Sequence, residues 1–305
     1  MTVKKFFCHC MALCLMASVL INNEMLAQAS QLGRQKTNQA EAENEAKADL
    51  ETEGVLSEFT QAEIEGFYDD SVFVGDSLML GFRNYAMKRK DDTLLSRIKF
   101  LAAGSLSVHN SFWDIKNKNS VHPIYQGQKR YIWDSISLMK GKRVFIMLGV
   151  NDINVYGLEK TRDKYEELVG KIEESNPDAE VHIMSMTYVL RGKEKGNLEN
   201  DTIREFNAML EKLADENGWG YVALADSLAD ENGDLAEKFC SDGFVHQNAA
   251  AYDVWVSVLK DYAAQRLSLE SDEDEQTEEK TADSKSTEKT ENAQTKESKD
   301  AALNR

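Results

Sequence analysis

Cysteine is scarce in this sequence, and the scarcity excludes a fold held together by disulfides. Three of the four cysteines, Cys8, Cys10 and Cys14, lie in the first 14 residues, which leaves Cys240 as the single thiol of the remaining chain. One thiol cannot form an internal disulfide. The fold must therefore depend on a hydrophobic core large enough to need no covalent cross-link.

Positive charge is also in short supply. The chain has 36 lysines and arginines against 53 aspartates and glutamates, for a net charge of -17. A nucleic-acid-binding protein needs a basic face to replace the counterions of the phosphates. We therefore expect no nucleic-acid partner, and the charge favours solubility without indicating a chemistry.

A long apolar run occurs only near the start of the chain. Lys4 and Lys5 precede an apolar run from Phe6 to Ile21, and small residues follow at Ala27-Gln28-Ala29. This order is typical of a secretory signal peptide, and the run is shorter than the roughly 20 residues of a membrane-spanning helix. The sequence predicts a signal peptide over residues 1–29, cleaved after Ala29, and a secreted or cell-envelope-associated protein. An uncleaved N-terminal anchor is the alternative.

Two polar segments flank the part of the chain that is expected to fold. Residues 30–54 indicate a linker, and residues 270–305 are an acidic tail rich in Glu, Lys and Thr with Leu303 as its one large aliphatic residue after position 270. Such a segment buries too little apolar surface to offset its chain entropy, so we predict that the tail is disordered. It is either a passive solvated end, or a spacer embedded in the cell wall or a polar interaction tail. The folded domain is predicted over residues 55–269.

Within residues 55–269, short apolar runs alternate with longer amphipathic stretches. This pattern is typical of a parallel sheet covered by helices, and therefore of the α/β class. The candidate strands are Ser71 to Gly75, Ile98 to Ala102, Arg143 to Leu148, Val181 to Met186 and Gly220 to Leu224. Apolar stripes at helical spacing begin at Tyr165, at Ile203 and at Tyr252.

The first candidate strand leads directly into Gly75-Asp76-Ser77-Leu78. A serine there lies where an open sheet passes the chain to a helix, which is where such sheets bind ligands. The N–H groups and dipole of a helix start would face negative charge that develops beside the Ser77 oxygen. The alternative is that Ser77 only caps the helix.

Two further residues follow the ends of neighbouring strands. Gly104 follows the second strand, where a glycine lets the backbone approach a ligand closely. Asn151 follows the third strand, in Gly149-Val150-Asn151-Asp152, and its side-chain N–H groups are able to hold an oxyanion. The alternatives are a turn glycine and an Asx turn that closes the strand.

Asp242 and His246 form the candidate acid and base. They lie in Ser241-Asp242-Gly243-Phe244-Val245-His246, directly before the Trp255 helix. Asp242 is close enough to orient the imidazole, whose other nitrogen then accepts the Ser77 proton. His182 lies inside a strand pattern, and His109 and His122 have no neighbouring carboxylate in the sequence. His246 is therefore the predicted base.

Together these motifs resemble the SGNH hydrolase superfamily, whose members are also called GDSL esterases. The matching residues are Gly-Asp-Ser-Leu at 75–78, Gly104, Gly-Val-Asn-Asp at 149–152, and Asp242 with His246, in the family's order. The resemblance implies a three-layer α/β/α fold with a parallel, five-stranded, flavodoxin-like sheet. It also implies a Ser77 nucleophile, a His246 base oriented by Asp242, and no metal or organic cofactor.

The resemblance further implies an oxyanion hole made of the Ser77 N–H, the Gly104 N–H and the Asn151 side chain. One feature departs from the family pattern. The family commonly has two residues between the acid and the histidine, whereas here there are three, Gly243, Phe244 and Val245. This departure concerns the position of Asp242 relative to His246, and a glycine at position 243 is able to absorb the additional residue.

These features predict a secreted serine esterase or acylhydrolase. The expected substrate is a small-molecule or glycan ester, above all a small acyl group on a carbohydrate or cell-envelope glycan, which would bring peripheral association with the envelope. Two alternatives remain open: an O-acyltransferase that uses the same residues, and a non-catalytic glycan-binding surface protein. The sequence does not determine the oligomeric state.

Overall fold

The computed structural model of the protein describes residues 59–271. The predicted signal peptide (1–29), the predicted linker (30–54) and the predicted tail beyond residue 271 lie outside the described residues. Residues 270 and 271, which we assigned to the tail, belong to the last described helix. Within residues 59–271, no helix has the length and apolar character needed to cross a membrane.

Five parallel strands form the central sheet, in the order β2-β1-β5-β6-β7. The five predicted strands are confirmed, with ends that shift by at most two residues. A small antiparallel hairpin, β3 with β4, adds to the long connection that follows β2. The strands are β1 (Ser71–Gly75), β2 (Lys99–Ala102), β3 (Ile124–Tyr125), β4 (Gln128–Lys129), β5 (Arg143–Met147), β6 (Glu180–Met184) and β7 (Gly220–Val222).

Helices flank this sheet in the three-layer α/β/α arrangement. The three predicted apolar stripes lie on α5, α6 and α7, whose buried positions include Tyr165, Phe206 and Trp255. The helices are α1 (Gln61–Gly66), α2 (Ser77–Met87), α3 (Ile132–Met139), α4 (Ile153–Tyr156), α5 (Leu158–Ser175), α6 (Asn200–Asn217) and α7 (249–271). Short 3-10 helices span Asn110–Phe112, Asp226–Leu228 and Glu237–Phe239.

Aromatic side chains form the centre of the core. Phe73 of β1 stacks on Phe145 of β5, with ring centroids 4.5 Å apart. The ring centroids of Phe82 in α2 and Trp255 in α7 lie 4.9 Å apart. This contact joins the helix that follows β1 to the last described helix. Full burial of one such side chain contributes roughly 1.5–3 kcal/mol, so this cluster holds β1 and α2 firmly in place.

The strand order creates a crevice at one end of β1. The chain passes from β1 to β2 on one side and later returns to β5 on the other side. The connections that leave these strands therefore diverge above the carboxyl end of β1, which is where open α/β sheets bind their ligands. The segments that follow β1, β2 and β5 meet at this point.

Candidate active site

Ser77 is the first residue of α2, directly above the carboxyl end of β1. The residue before it, Asp76, caps the helix, because its Oδ1 accepts a hydrogen bond from the Leu78 N–H at 2.9 Å. The capping role that we considered for Ser77 therefore belongs to Asp76. The Ser77 hydroxyl is left for another partner, at the positive end of the helix dipole.

That partner is His246. Its Nε2 lies 2.9 Å from the Ser77 Oγ, and its Nδ1 lies 2.6 Å from the Asp242 Oδ2. Ser77 and His246, which are 169 residues apart in the sequence, thus form one hydrogen-bonded row with Asp242. In the tautomer that carries its proton on Nδ1, His246 donates a hydrogen bond to Asp242, and its Nε2 is able to accept the serine proton.

The longer spacing between Asp242 and His246 does not separate the pair. Gly243 adopts a φ of 72°, in the left-handed region that favours glycine. The loop then turns back, and the Asp242 Oδ1 accepts the backbone N–H groups of Phe244, Val245 and His246. The additional residue is absorbed by this turn, as the glycine suggested.

The loop also controls the charge of Asp242. Partial burial would raise the pKa of Asp242, but the hydrogen bonds from the His246 ring and from three backbone N–H groups lower it to about 2. Asp242 is therefore ionised at any pH near neutral. The Cys240 Sγ lies 3.7 Å from the same carboxylate, which places the single described thiol beside the site.

Gly104 lies in an exposed turn after β2, and the left-handed residue of that turn is Ser105, with a φ of 59°. The turn is tied to the nucleophile's strand, because the Ala103 N–H donates to the Gly75 carbonyl at 3.2 Å. Among residues 59–271, no hydrogen-bond acceptor engages the Gly104 N–H. This donor is therefore available to a ligand at the crevice.

Asn151 joins the three connections of the crevice. Its Nδ2 donates to the Leu106 carbonyl at 3.0 Å and to the Asp76 Oδ2 at 3.2 Å. The Asx turn considered from the sequence is not what this side chain makes. Both Nδ2 hydrogens have protein acceptors, so an oxyanion must compete for one of them.

The sequence was compared with protein families and solved structures. A model of the GDSL-like lipase/acylhydrolase family matches residues 73–254. The chain belongs to this family. It is therefore an enzyme, a serine hydrolase of the esterase type.

Two solved structures show the same fold. A Bacteroides fragilis protein described as an acylhydrolase has 17% identity and a TM-score of 0.50, over 65% of this chain and 87% of its own. A GDSL-like lipase from Bacteroides thetaiotaomicron has 16% identity and a TM-score of 0.50, over 64% of this chain and 88% of its own. At these identities the similarity concerns the fold. No curated protein sequence matches this chain.

Two buried carboxylates of this family member were not identified as site residues from the sequence. Asp76 directly follows Gly75 and Asp152 directly follows Asn151 within the two recognised motifs, which is the signal that would have found them. Burial and, to a smaller extent, the nearby Asp152 raise the pKa of Asp76 to about 7, against the hydrogen bond from Leu78. Asp76 thus has a role quite different from that of Asp242.

Asp152 holds the loop that carries Gly104. Its Oδ2 accepts the Val108 N–H, and its Oδ1 accepts the His109 N–H, each at 3.1 Å. The His109 Nδ1 lies 2.8 Å from the same Oδ1, and the imidazole stacks on Tyr156 with ring centroids 3.5 Å apart. His109 therefore has a carboxylate partner in space, although it has none nearby in the sequence.

The other two histidines of residues 59–271 contact groups outside the candidate active site. His182 lies in β6, as predicted, and its Nδ1 lies 2.7 Å from the Tyr262 hydroxyl oxygen. The His122 Nε2 lies 2.9 Å from the Trp113 carbonyl oxygen. Within the part of the chain that the structure describes, no group of three or more His, Cys, Asp or Glu side chains is arranged to hold a metal ion.

Proposed function

We propose that this GDSL-family enzyme hydrolyses oxygen esters with Ser77 as nucleophile, His246 as general base and Asp242 as the residue that orients His246. The continuous row of hydrogen bonds from Asp242 through His246 to Ser77, at 2.6 and 2.9 Å, is the main support. The distance of 2.9 Å between His246 and Ser77 lies within the range over which a base takes a proton from a serine, and the distance of 2.6 Å between Asp242 and His246 is that of a hydrogen bond that orients the base.

In the first half of the reaction, the Ser77 Oγ attacks the ester carbonyl carbon while its proton passes to the His246 Nε2. The imidazolium that forms is stabilised by Asp242, whose low pKa keeps it ionised. The tetrahedral intermediate then collapses, and His246 donates the proton to the departing alcohol. The acyl group remains on Ser77 as an ester.

The negative oxygen of the intermediate needs hydrogen-bond donors. The Ser77 N–H at the start of α2 and the unengaged Gly104 N–H are two such donors. The Asn151 side chain is the third donor. Its hydrogen bond to Asp76 is the longer of its two contacts, so this is the N–H that would turn to the oxyanion. The contact with Leu106 keeps the amide in place meanwhile.

In the second half, water replaces the alcohol. His246 takes a proton from the water, whose oxygen attacks the acyl carbon, and the proton then returns to the Ser77 Oγ as the carboxylic acid leaves. Asp242 and His246 are both partly exposed, so the row is open to an ester carried on a large molecule. This openness and the predicted export favour a small acyl group on a carbohydrate or a cell-envelope glycan as substrate.

Covalent labelling tests the proposal. A fluorophosphonate should label the wild-type protein at Ser77 and should not label Ser77→Ala, with peptide mass spectrometry to locate the adduct. Acetyl esters should be cleaved faster than palmitoyl esters of the same alcohol. Product analysis with and without an added sugar distinguishes hydrolysis from acyl transfer. A folded Ser77→Ala variant with near-native esterase activity would contradict the assignment.

A further inference from the structure

The segment 190–198, which follows β6, is attached to both segments that carry site residues. The Leu190 N–H donates to the carbonyl of Phe244, two residues before His246, at 2.7 Å. The Asn154 Nδ2, three residues after Asn151, donates to the Lys195 carbonyl at 2.9 Å. The segment therefore spans from the oxyanion side of the site to its histidine side, and we call it the rim segment.

The ammonium group of Lys195, in the rim segment, lies over the loop that carries His246. Its Nζ lies 3.9 Å from the centre of the Phe244 ring, within the range of a cation–π contact. Among the described residues, no carboxylate lies within 4.0 Å of this ammonium group. Arg191 of the same segment is different, because Asp234 holds its Nε at 2.7 Å. Lys195 is thus an exposed cation without an ionic partner, held beside the loop of His246.

A cation in this position has a consequence for substrate choice. The chain carries a net charge of -17, so its general field repels anionic substrates. A local ammonium group at the rim opposes that repulsion at one point. A single ammonium group suits a singly charged carboxylate, whereas phosphate sites usually collect several donors.

We propose that Lys195 binds a carboxylate of the substrate, so that the preferred esters are O-acylated acidic sugars, such as acetylated uronic acids. This inference rests on the proposed function, since it names the substrate class of the Ser77 site. Phe244 restricts the lysine side chain through its ring contact, which lowers the entropy lost when the ammonium group pairs with the substrate. Lys195 acts on binding and has no part in the proton transfers.

The test compares two esters that differ by one charge. They are the methyl glycosides of glucuronic acid and glucose, each acetylated at the same hydroxyl, and the readout is the ratio of their kcat/KM values. Lys195→Met should lower the acid-to-neutral ratio by about three- to tenfold at low salt. Lys195→Arg should retain most of the ratio, and the loss in Lys195→Met should shrink as salt screens the contact.

Lys193→Met is the matched control. It removes the same charge from the same segment, so it reports the general field without the contact on Phe244. Its ratio should stay near that of the wild type. An equal fall in Lys193→Met and Lys195→Met would overturn the inference, and so would an unchanged ratio in Lys195→Met.

The two proposals fail in different ways. Absence of fluorophosphonate labelling at Ser77 in the wild-type protein overturns the proposed function, and the substrate inference falls with it. Labelling of Ser77 together with equal turnover of both esters in wild type and Lys195→Met overturns the role of Lys195 alone. Labelling of Ser77 without turnover of either sugar ester overturns the acidic-sugar assignment and leaves the nucleophile in place.

Discussion

Two aspartate–histidine pairs lie close to the crevice, and they differ more in their surroundings than in their own geometry. The Nδ1–Oδ distance is 2.6 Å in the Asp242–His246 pair and 2.8 Å in the Asp152–His109 pair. The side chains of Asp242 and His246 are 36% and 44% exposed, whereas those of Asp152 and His109 are 0% and 13% exposed. Similar contacts are thus made in very different settings.

The difference shows that a carboxylate–imidazole contact does not by itself indicate a base. The Nε2 of His246 faces the Ser77 hydroxyl, so this pair is able to move a proton. His109 instead lies against the ring of Tyr156, and its carboxylate also holds backbone N–H groups of the Gly104 loop. Two features therefore distinguish the pairs. One is the group that contacts the face or the second nitrogen of the imidazole, and the other is the set of backbone N–H groups that the carboxylate binds.

The largest expected effect comes from the first pair and its serine. Ser77→Ala and His246→Ala should each lower kcat/KM about 10⁴-fold or more, and the double variant should lose little more, because both remove the same proton-coupled attack. His109→Ala should cost about tenfold or less. The rates are measured on an acetyl ester, with thermal unfolding as evidence that each variant is folded. A larger loss of activity in His109→Ala than in His246→Ala would show that His109, and not His246, is the general base.

Asp242→Asn comes next. The amide keeps the shape of the side chain but cannot hold the His246 tautomer that accepts the serine proton, so activity should fall about 10³- to 10⁴-fold. Its free energy of unfolding should fall less than that of Asp152→Asn, because the residue is partly exposed and the amide oxygen is still able to accept the backbone N–H groups of the loop. The initial rate of hydrolysis of an acetyl ester measures the loss of activity, and urea unfolding measures the change in stability.

Asp152→Asn is the matched variant in the second pair. It weakens several buried hydrogen bonds, so the free energy of unfolding should fall by about 1–3 kcal/mol. If Asp152→Asn and Asp242→Asn lost equal stability, the contrast between a buried anchor and an exposed orienting residue would be wrong.

Asn151→Ala should lower kcat about 10²- to 10³-fold through the loss of one oxyanion donor. The Ser77–His246 contact does not involve Asn151, so Ser77 should still react slowly with a fluorophosphonate. The ratio of labelling rate to turnover separates this variant from His246→Ala, which should lose both. Full turnover in a folded Asn151→Ala variant would show that Gly104 and Ser77 N–H groups suffice.

The last expected effect concerns pH. Folding raises the pKa of Asp76 from 3.8 to about 7, so between these values the folded state binds a proton that the unfolded state has lost. The contribution of Asp76 to stability is therefore complete below about pH 4 and is lost as the pH rises toward 7. Asp242, with its pKa lowered to about 2, has the opposite sign: its contribution is present above pH 3.8 and is lost as the pH falls through 2.

Asp76→Asn should therefore lose less stability between pH 5 and pH 8 than the wild type does, by roughly 1–4 kcal/mol. Urea unfolding at the two pH values measures the difference. Asp178→Asn removes the same formal charge from an exposed position and should follow the wild type. Parallel behaviour of Asp76→Asn and the wild type would show that Asp76 is ionised throughout.

The sequence predicted the strands better than the long connection after β2. Apolar runs such as residues 71–75 are buried on both faces, so composition alone marks them. The segment from Ser105 to Arg130 has no such pattern, and its hairpin, β3 with β4, was not predicted. A helix was expected between β2 and β5, but the position of α3, from Ile132 to Met139, was not predicted, because eight residues are too few for a clear helical period.

The sequence by itself determined the fold class, the family and the candidates Ser77, Gly104, Asn151, Asp242 and His246, because these depend on local patterns along the chain. The signal peptide and the localisation stay predictions from the same source. Tertiary structure alone decided that Asp152 meets His109, because contacts across the crevice join residues far apart in the chain. Asp152 reaches His109 over 43 positions, and Lys195 reaches Phe244 over a comparable distance. The pKa of Asp76 differs from that of Asp242 because Asp76 is buried, and this burial likewise exists only once the sheet and helices have packed.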